Sequence, residues 1–429
     1  MSKAVFNLYR DAFSGLPRTI WVLCFAGFIN RAGTMVLPFL SLYLISQRGF
    51  NLNQVGWILM AFGLGSVFGS YIGGKLCNAW NYTTVLIGSL LLSGVGFLVL
   101  GSLSSLISLL IGFFFLSMTG DAFRPAIMTA ITEHAGKKTT KSMALLRLCI
   151  NLGMACGPAL GGVLASIDYL YLFWADGLTC IAAGFFLIKF QALLIKGKKI
   201  GEKTSPISTL TPQKKEDAVD VPFVMFLLLI FALSFAFFQL IGAYPLYLKQ
   251  VFYYVEKDIG LLLAFNALLI VIFEMVFIHK TQHLSPMHLF AAGLFLMCMG
   301  FGLLPLGTLL PINTWGITWF LIFLTMLWTA GEMLSLPLAN TIVAKRAEGK
   351  QIGTYMGWYT ATYSIAMMTA PPAGLFIMEQ FGKNSLWWFI CTLGVLLPVC
   401  ALLLKPYLIP NEPKLSTNFE QPEHEIDHP

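Results

Sequence analysis

Four charged residues, Arg31, Asp121, Arg124 and Glu332, lie inside long apolar stretches of the chain. An ionised side chain in the middle of a membrane costs about 2.5 to 3.5 kcal/mol on insertion scales, so each one calls for a partner or a function. Asp121 and Arg124 are three residues apart, which places them on one face of a helix. In such surroundings carboxylates can exchange protons, and arginines can pair with them or hold an anion.

Asp121 and Glu332 are the predicted proton-binding groups, with Arg31 and Arg124 setting the charge that each of them meets. Glu332 has no obvious basic partner in its own half of the chain, and such a carboxylate, away from water, can exchange its proton near neutral pH. The alternative is a static pair of Asp121 and Arg124 that only holds helices together. Polar side chains that could line the same cavity, or serve simply as contacts between helices, are Asn30, Gln239, Tyr244, Tyr359 and Tyr363.

The elements that must position these residues are membrane helices. Of the 429 residues 57% are hydrophobic and 11% are charged, against about 25% charged in a soluble domain. A spanning helix needs about 20 apolar residues. Twelve such stretches are predicted, at 19–46, 54–76, 84–103, 105–132, 142–166, 168–194, 222–248, 258–280, 286–308, 315–343, 352–380 and 384–408. At about 1.5 Å per residue, Arg31 and Asp121 lie roughly 17 Å from the same end of their helices.

The distribution of the 27 lysines and arginines predicts the orientation of the spans. Most of them lie on the side that holds both termini, and only Arg48, Lys249, Lys257 and Lys383 lie on the other side. By the positive-inside rule both termini are cytoplasmic, in a multi-pass protein of the cell inner membrane. Arg147, near the cytoplasmic start of the fifth span, is expected to extend to the interface.

The two halves of the chain resemble one another. Leu42-Tyr43-Leu44 followed by Val55-Gly56 recurs as Leu246-Tyr247-Leu248 followed by Ile259-Gly260. The predicted domains are a six-helix half at 1–194, a cytoplasmic linker at 195–221, a second six-helix half at 222–408, and a disordered cytoplasmic tail at 409–429. Six is even, so both copies insert with the same polarity, as in transporters built from parallel repeats. Spans 1, 4, 7 and 10 are then equivalent pairs.

A glycine-rich stretch in the fifth span carries a family resemblance. Gly153, Gly157, Gly161 and Gly162 form a stripe without side chains, and Pro158 bends the helix. The stretch resembles the G-x-x-x-G-P-x-x-G-G signature of the drug:proton antiporters of the major facilitator superfamily. The resemblance implies an all-α membrane fold of twelve transmembrane helices in two parallel six-helix halves, with spans 1, 4, 7 and 10 around a central cavity and the stripe packed against the eighth span.

A second resemblance concerns the fourth span. Gly120-Asp-Ala-Phe-Arg124-Pro125 is similar to the region in which drug antiporters carry an arginine tied to proton coupling. It implies such a role for Arg124.

The leading hypothesis is a proton-coupled exporter of small amphipathic molecules that works by alternating access. Import of a nutrient or siderophore by the same fold is the alternative, and a membrane enzyme or receptor is the third. We expect no enzyme activity, cofactor or metal: no ATP-binding signature is present, and the eight cysteines lie almost all in apolar runs. The predicted partners are the small-molecule substrate, protons and the lipid bilayer, without nucleic acid, and the chain is expected to act as a monomer.

Overall fold

The computed structural model describes residues 15–196, 220–281, 283–311, 315–347 and 352–408. This part of the chain is helical and contains no β-strand. Twelve long helices follow one another, and three of them consist of two segments. They are α1 (Arg18–Ala32 and Val36–Ser46), α2 (Leu52–Ala79), α3 (Tyr82–Ser102), α4 (Leu106–Asp121 and Phe123–Ala135), α5 (Thr139–Ile167), α6 (Leu170–Lys189), α7 (Val221–Phe238 and Ala243–Val251), α8 (Glu256–Thr281), α9 (Pro286–Gly302), α10 (Trp315–Arg346), α11 (Ile352–Phe381) and α12 (Ser385–Leu408).

These helices coincide with the twelve predicted spans. Ten of them are long and apolar enough to cross a membrane. The other two, α8 and α11, have 26 and 30 residues, which is also sufficient to cross. The prediction of an all-α membrane protein with twelve transmembrane helices is therefore confirmed. Residues 197–219 of the predicted linker and the predicted tail at 409–429 lie outside the described residues.

The bundle consists of two groups of six helices. In the first group α2 packs against α4, α3 against α6, and α1 against α5; in the second, α9 packs against α10 and α12, and α7 against α11. The groups meet mainly along two helix pairs, α5 with α8 and α2 with α11, and the second segments of α1 and α7 also touch. The two pairs are equivalent in the repeat, because α5 corresponds to α11 and α8 to α2.

The two ends of the bundle differ in how the halves are joined. We call the end that holds Arg18 and Leu408 the terminal end, and the other the far end. At the far end the Ser41 hydroxyl of α1 donates to the Gly242 carbonyl of α7 over 2.9 Å. The Tyr169 hydroxyl of the first half donates to the Glu256 carboxylate of α8. These contacts hold the far ends of the two halves together.

The α2 and α11 pair diverges toward the terminal end. A Cβ atom on Gly63 would lie 2.5 Å from the Cα atom of Met368, so the two backbones nearly touch in the far part of the bundle. Closer to the terminal end, Gly74 of α2 and Gly357 of α11 have no neighbouring atom within 4 Å of such a Cβ position. The halves are therefore in close contact along this pair only in its far part.

Candidate functional site

Arg31 lies at the break of α1, one residue before the first segment ends. The second segment begins at Val36, and its free amide groups are capped from α6 by the buried Asp176 carboxylate. Asp176 accepts from the Met35 amide at 2.9 Å and from the Val36 amide at 2.9 Å. A carboxylate at a helix N-terminus satisfies amide groups that have no partner within the helix. Asp176 thus stabilises the break that determines where Arg31 lies.

The glycine stripe of α5 shapes the other side of this break. A Cβ atom on Gly153 would lie 2.7 Å from the Cβ atom of Arg31, and one on Gly157 would lie 3.2 Å from the Arg31 carbonyl oxygen. Gly161 faces Met35 in the same way. The absence of side chains along this face lets the interrupted α1 pack directly on α5.

The stripe is divided between two neighbours, which corrects what the family resemblance implied. Gly162, on the adjoining face of α5, packs on Glu256, Lys257 and Gly260 of α8. The Pro158 carbonyl oxygen would lie 2.3 Å from a Cβ atom on Gly260. Gly162 and Pro158 therefore contact α8, whereas Gly153, Gly157 and Gly161 contact α1.

Asp121 and Arg124 form an ion pair at the break of α4. The Arg124 Nε atom lies 3.0 Å from Oδ1 of Asp121, and the side chains are 43% and 12% exposed. Arg31 lies within electrostatic range of both. In the described residues, however, the Arg31 side chain makes neither an ion pair nor a hydrogen bond. The first half therefore contributes two positive charges and one negative charge to this region.

The lack of a partner for Arg31 is significant in free-energy terms. A cation near the C-terminus of a helix gains about 0.3 to 1 kcal/mol from the helix dipole. An arginine at the centre of a membrane costs about 2.5 to 3.5 kcal/mol on insertion scales. The dipole of the first segment of α1 alone therefore does not offset the cost of placing Arg31 at this depth.

Glu332 of α10 contributes a carboxylate from the second half. Its Oε2 atom accepts a hydrogen bond of 3.2 Å from the Asn266 side chain of α8. Asn266 also donates to the Thr329 hydroxyl over 3.0 Å. No basic side chain of the described residues forms an ion pair with Glu332. Its charged neighbours at longer range are Glu274 and Arg147.

Tyr363 of α11 connects the two sets of charges. It lies within electrostatic range of Arg31, Arg124 and Glu332, and its ring packs edge-on against Phe238 with 4.9 Å between the centroids. We call Arg31, Asp121, Arg124, Glu332 and Tyr363 the central cluster. It joins residues of α1, α4, α10 and α11 between the two halves. Tyr359, one turn from Tyr363, lies beside Asn340 of α10 and within range of Arg147.

The structure does not bring the other three cavity candidates into the central cluster. The Asn30 side chain donates to the Cys180 sulfur of α6 at 3.8 Å. Gln239 is fully buried in the break of α7 and donates to the Phe235 and Ala370 carbonyl groups at 3.1 and 3.0 Å. Tyr244 is buried against Phe301 and Trp387. All three lie in contacts between helices.

A second charged group joins the halves between the central cluster and the terminal end. Arg147 of α5 forms an ion pair with Glu274 of α8, and the Asn151 amide lies 3.5 Å from the other Glu274 oxygen. The expectation that Arg147 extends to the membrane interface is therefore wrong. The sequence does show opposite charges in spans 5 and 8, which could have indicated this pair. Only the assembled bundle shows that the two spans are in contact.

Comparisons with known proteins agree with this architecture. The family model of the Major Facilitator Superfamily matches residues 23–330 and 300–425. The chain is 22% identical over 394 residues to the multidrug resistance protein MdtH of Aeromonas salmonicida, covering 89% of this chain and 93% of the relative. It is 23% identical to a Na⁺, Li⁺, K⁺/H⁺ antiporter of Planococcus maritimus, covering 80% of this chain and 85% of the relative.

Solved transporter structures share the fold. A POT family transporter crystallised with 5-aminolevulinic acid superposes with a TM-score of 0.73 at 15% identity, covering 92% of this chain and 98% of that one. The nucleoside transporter NupG has a TM-score of 0.73 at 10% identity, covering 91% of this chain and all of that one. The match of the family model along nearly the whole chain shows that this multi-pass membrane protein is a transporter of the Major Facilitator Superfamily.

Proposed function

We propose that the chain is a proton-coupled exporter of small amphipathic molecules that works by alternating access. The observation that supports this most directly is Glu332, a carboxylate between the two halves that has an amide donor but no ion-pair partner among the described residues. The similarity to MdtH over nearly its whole length, and to a cation/proton antiporter, favours antiport.

In this proposal Glu332 and Asp121 bind the transported protons. As a carboxylate, Glu332 accepts from Asn266, and protonation removes the charge that this hydrogen bond stabilises. Asp121 is paired with Arg124, and its protonation would free the Arg124 guanidinium. Arg31 and Arg124 adjust the charge that both acids meet, and Tyr359 and Tyr363 line the substrate path. Proton binding and release thereby change the charge between the halves.

The halves would rock against one another along the α5–α8 and α2–α11 pairs. With both termini on the cytoplasmic side of the inner membrane, the far end faces outward. The contacts of Ser41 with Gly242 and of Tyr169 with Glu256 then close the outer side, and the central cluster is reached from the cytoplasm. This is the state in which an exporter takes up its substrate.

Proton-coupled import of a nutrient or siderophore is the second candidate. Arg31, which has no anionic partner among the described residues, favours it because many nutrients and iron chelators are anions. The two candidates differ in the direction of net flux and in whether protons and substrate move together.

Proton movement in inside-out vesicles tests the proposal. Vesicles with an acid lumen are challenged in turn with lipophilic cations, iron chelators, amino acids and sugars. We expect one compound class to raise the luminal pH, because protons leave the lumen as substrate enters. Glu332→Gln and Asp121→Asn should abolish this signal, since an amide cannot carry a proton. Glu379→Gln, which alters an exposed carboxylate of α11, is the matched control.

Counterflow of labelled substrate separates coupling from folding. A folded Asp121→Asn variant should still exchange substrate across the membrane without a proton gradient. Full proton-coupled transport by both Glu332→Gln and Asp121→Asn would rule out these two proton sites. Uptake of a labelled nutrient by intact cells, with no response in the vesicles, would establish the importer instead.

A further inference from the structure

The first half contributes more positive than negative charge to the central cluster. Asp121 is the only acid among its members from that half, and it is already paired with Arg124. The Arg31 side chain makes no ion pair or hydrogen bond with any residue in the described part of the chain. Arginine remains protonated in proteins, so this charge persists at every working pH. A partly buried guanidinium group without an anionic partner is energetically unfavourable, and it would bind an anion from a ligand.

The surroundings of Arg31 fit an acid group of a ligand. Arg124 lies within electrostatic range of Arg31, and the two guanidinium groups repel one another. An anion between them would relieve this repulsion and could accept hydrogen bonds from both guanidinium groups. Tyr363 brings a hydroxyl group to the same region from the second half. The Arg124 side chain is 43% exposed, so a ligand can reach it.

The opposite side of the cluster carries the reverse charge. Glu332 accepts from Asn266 and has no basic partner in the described residues. An ammonium group placed there would bind the ionised carboxylate and compete with a proton for it. The two halves thus offer an anion site at Arg31 and a cation site at Glu332, with Tyr363 within range of both.

We propose that the substrates are zwitterionic amphiphiles, whose acid group binds between Arg31, Arg124 and Tyr363 while the amine binds Glu332. This inference rests on the proposed function and names its substrate class. Arrival of the amine displaces the proton of Glu332, which passes to water on the open side, so substrate and proton are exchanged. The partly exposed ring of Tyr363 provides an apolar surface for the body of the substrate.

A set of three probes with one scaffold tests this proposal. They are 2-naphthylalanine, a zwitterion; 2-(2-naphthyl)ethylamine, a cation; and 3-(2-naphthyl)propionate, an anion. Their affinities for the purified full-length protein in lipid nanodiscs are measured by calorimetry. We expect the zwitterion to bind about tenfold or more tightly than the cation, since it gains one charge-assisted contact.

Variants assign the preference to Arg31. Arg31→Gln should weaken binding of the zwitterion and the anion by about tenfold to a hundredfold and should not weaken binding of the cation, because it removes a like charge. Arg31→Lys should recover part of this loss, because it keeps the charge but not the planar fork. Tyr363→Phe, which removes only a hydroxyl group, should weaken the zwitterion about threefold to tenfold. Lys383→Gln, at an exposed position near the far end, should have no effect.

The outcome separates this inference from the proposed function. Cation binding equal to or tighter than zwitterion binding, no zwitterion binding, or an unchanged zwitterion affinity in Arg31→Gln and Tyr363→Phe would overturn the substrate class. Retained binding of the cation shows that Arg31→Gln is folded; if this variant is unfolded, Tyr363→Phe decides. Vesicles that show no proton exchange, together with Arg31-dependent binding of the zwitterion, would overturn the exporter and retain the site.

Discussion

The two interfaces that join the halves are equivalent in the repeat but differ in chemistry. Along α5 and α8 the contact is polar, with the Arg147–Glu274 ion pair and the nearby Asn151 amide. Along α2 and α11 it is almost entirely apolar, with Met368 against Gly63. Both pairs nevertheless bring their backbones together at glycines. Duplication explains the shared close packing, and divergence of side chains explains the difference in charge.

This difference indicates different tasks for the two interfaces during alternating access. An apolar contact between small side chains has no fixed hydrogen bonds to lose, so the helices can slide or tilt at low cost. An ion pair must break when its helices separate, and its strength depends on nearby charges. Glu274 and Arg147 both lie within electrostatic range of Glu332. We infer that α5–α8 is the interface that responds to proton binding, and that α2–α11 acts as the passive hinge.

The largest expected effect tests what the interfaces share. Gly260→Ala places a Cβ atom 2.3 Å from the Pro158 carbonyl oxygen, and Gly63→Ala places one 2.5 Å from the Met368 Cα atom. Backbone atoms cannot move aside, so each variant should lose about 1 to 3 kcal/mol of stability. Thermal unfolding in nanodiscs measures the loss. Gly74→Ala, whose new Cβ atom meets no atom within 4 Å, is the control. If Gly63→Ala were as stable as the unaltered protein, the two helix pairs would not share the same close backbone packing.

A smaller effect tests the polar interface. Arg147→Gln and Glu274→Gln, alone and combined, form a double-mutant cycle. The Arg147 side chain is 49% exposed, so water screens the pair and we expect a coupling free energy of about 1 kcal/mol. The coupling should decrease with added salt. A coupling free energy of zero at low salt would show that the Arg147–Glu274 pair does not stabilise α5–α8, and that the two interfaces do not differ in this respect.

The smallest effect is expected at the apolar interface. Among the residues that the structure describes, the Ser66 hydroxyl of α2 has only the Met367 sulfur as a partner, at 3.9 Å. Ser66→Ala should therefore change the stability by at most about 0.5 kcal/mol and leave proton-coupled flux intact. A large loss of flux in this folded variant would show that α2–α11 is more than a passive hinge.

Much of the fold could be predicted from the sequence because its signals are local. Hydropathy and length gave the twelve spans to within a few residues, and a spacing of three residues indicated the Asp121–Arg124 pair. The site was predicted less completely. Gln239 and Tyr244 are polar residues within spans, as Tyr363 is, but they lie in helix contacts rather than in the central cluster. Sequence periodicity does not specify how each helix is rotated about its axis within the bundle.

The sequence by itself therefore determined that the chain crosses a membrane twelve times, in two parallel copies, with charges at a common depth. These properties follow from the free energy of placing apolar and charged groups in a membrane, residue by residue. Only the tertiary structure decided that Arg147 pairs with Glu274, that most of the glycine stripe faces α1, and that the Arg31 side chain has no partner within the described chain. These contacts join residues that are far apart in the chain, and their formation depends on how the two halves pack.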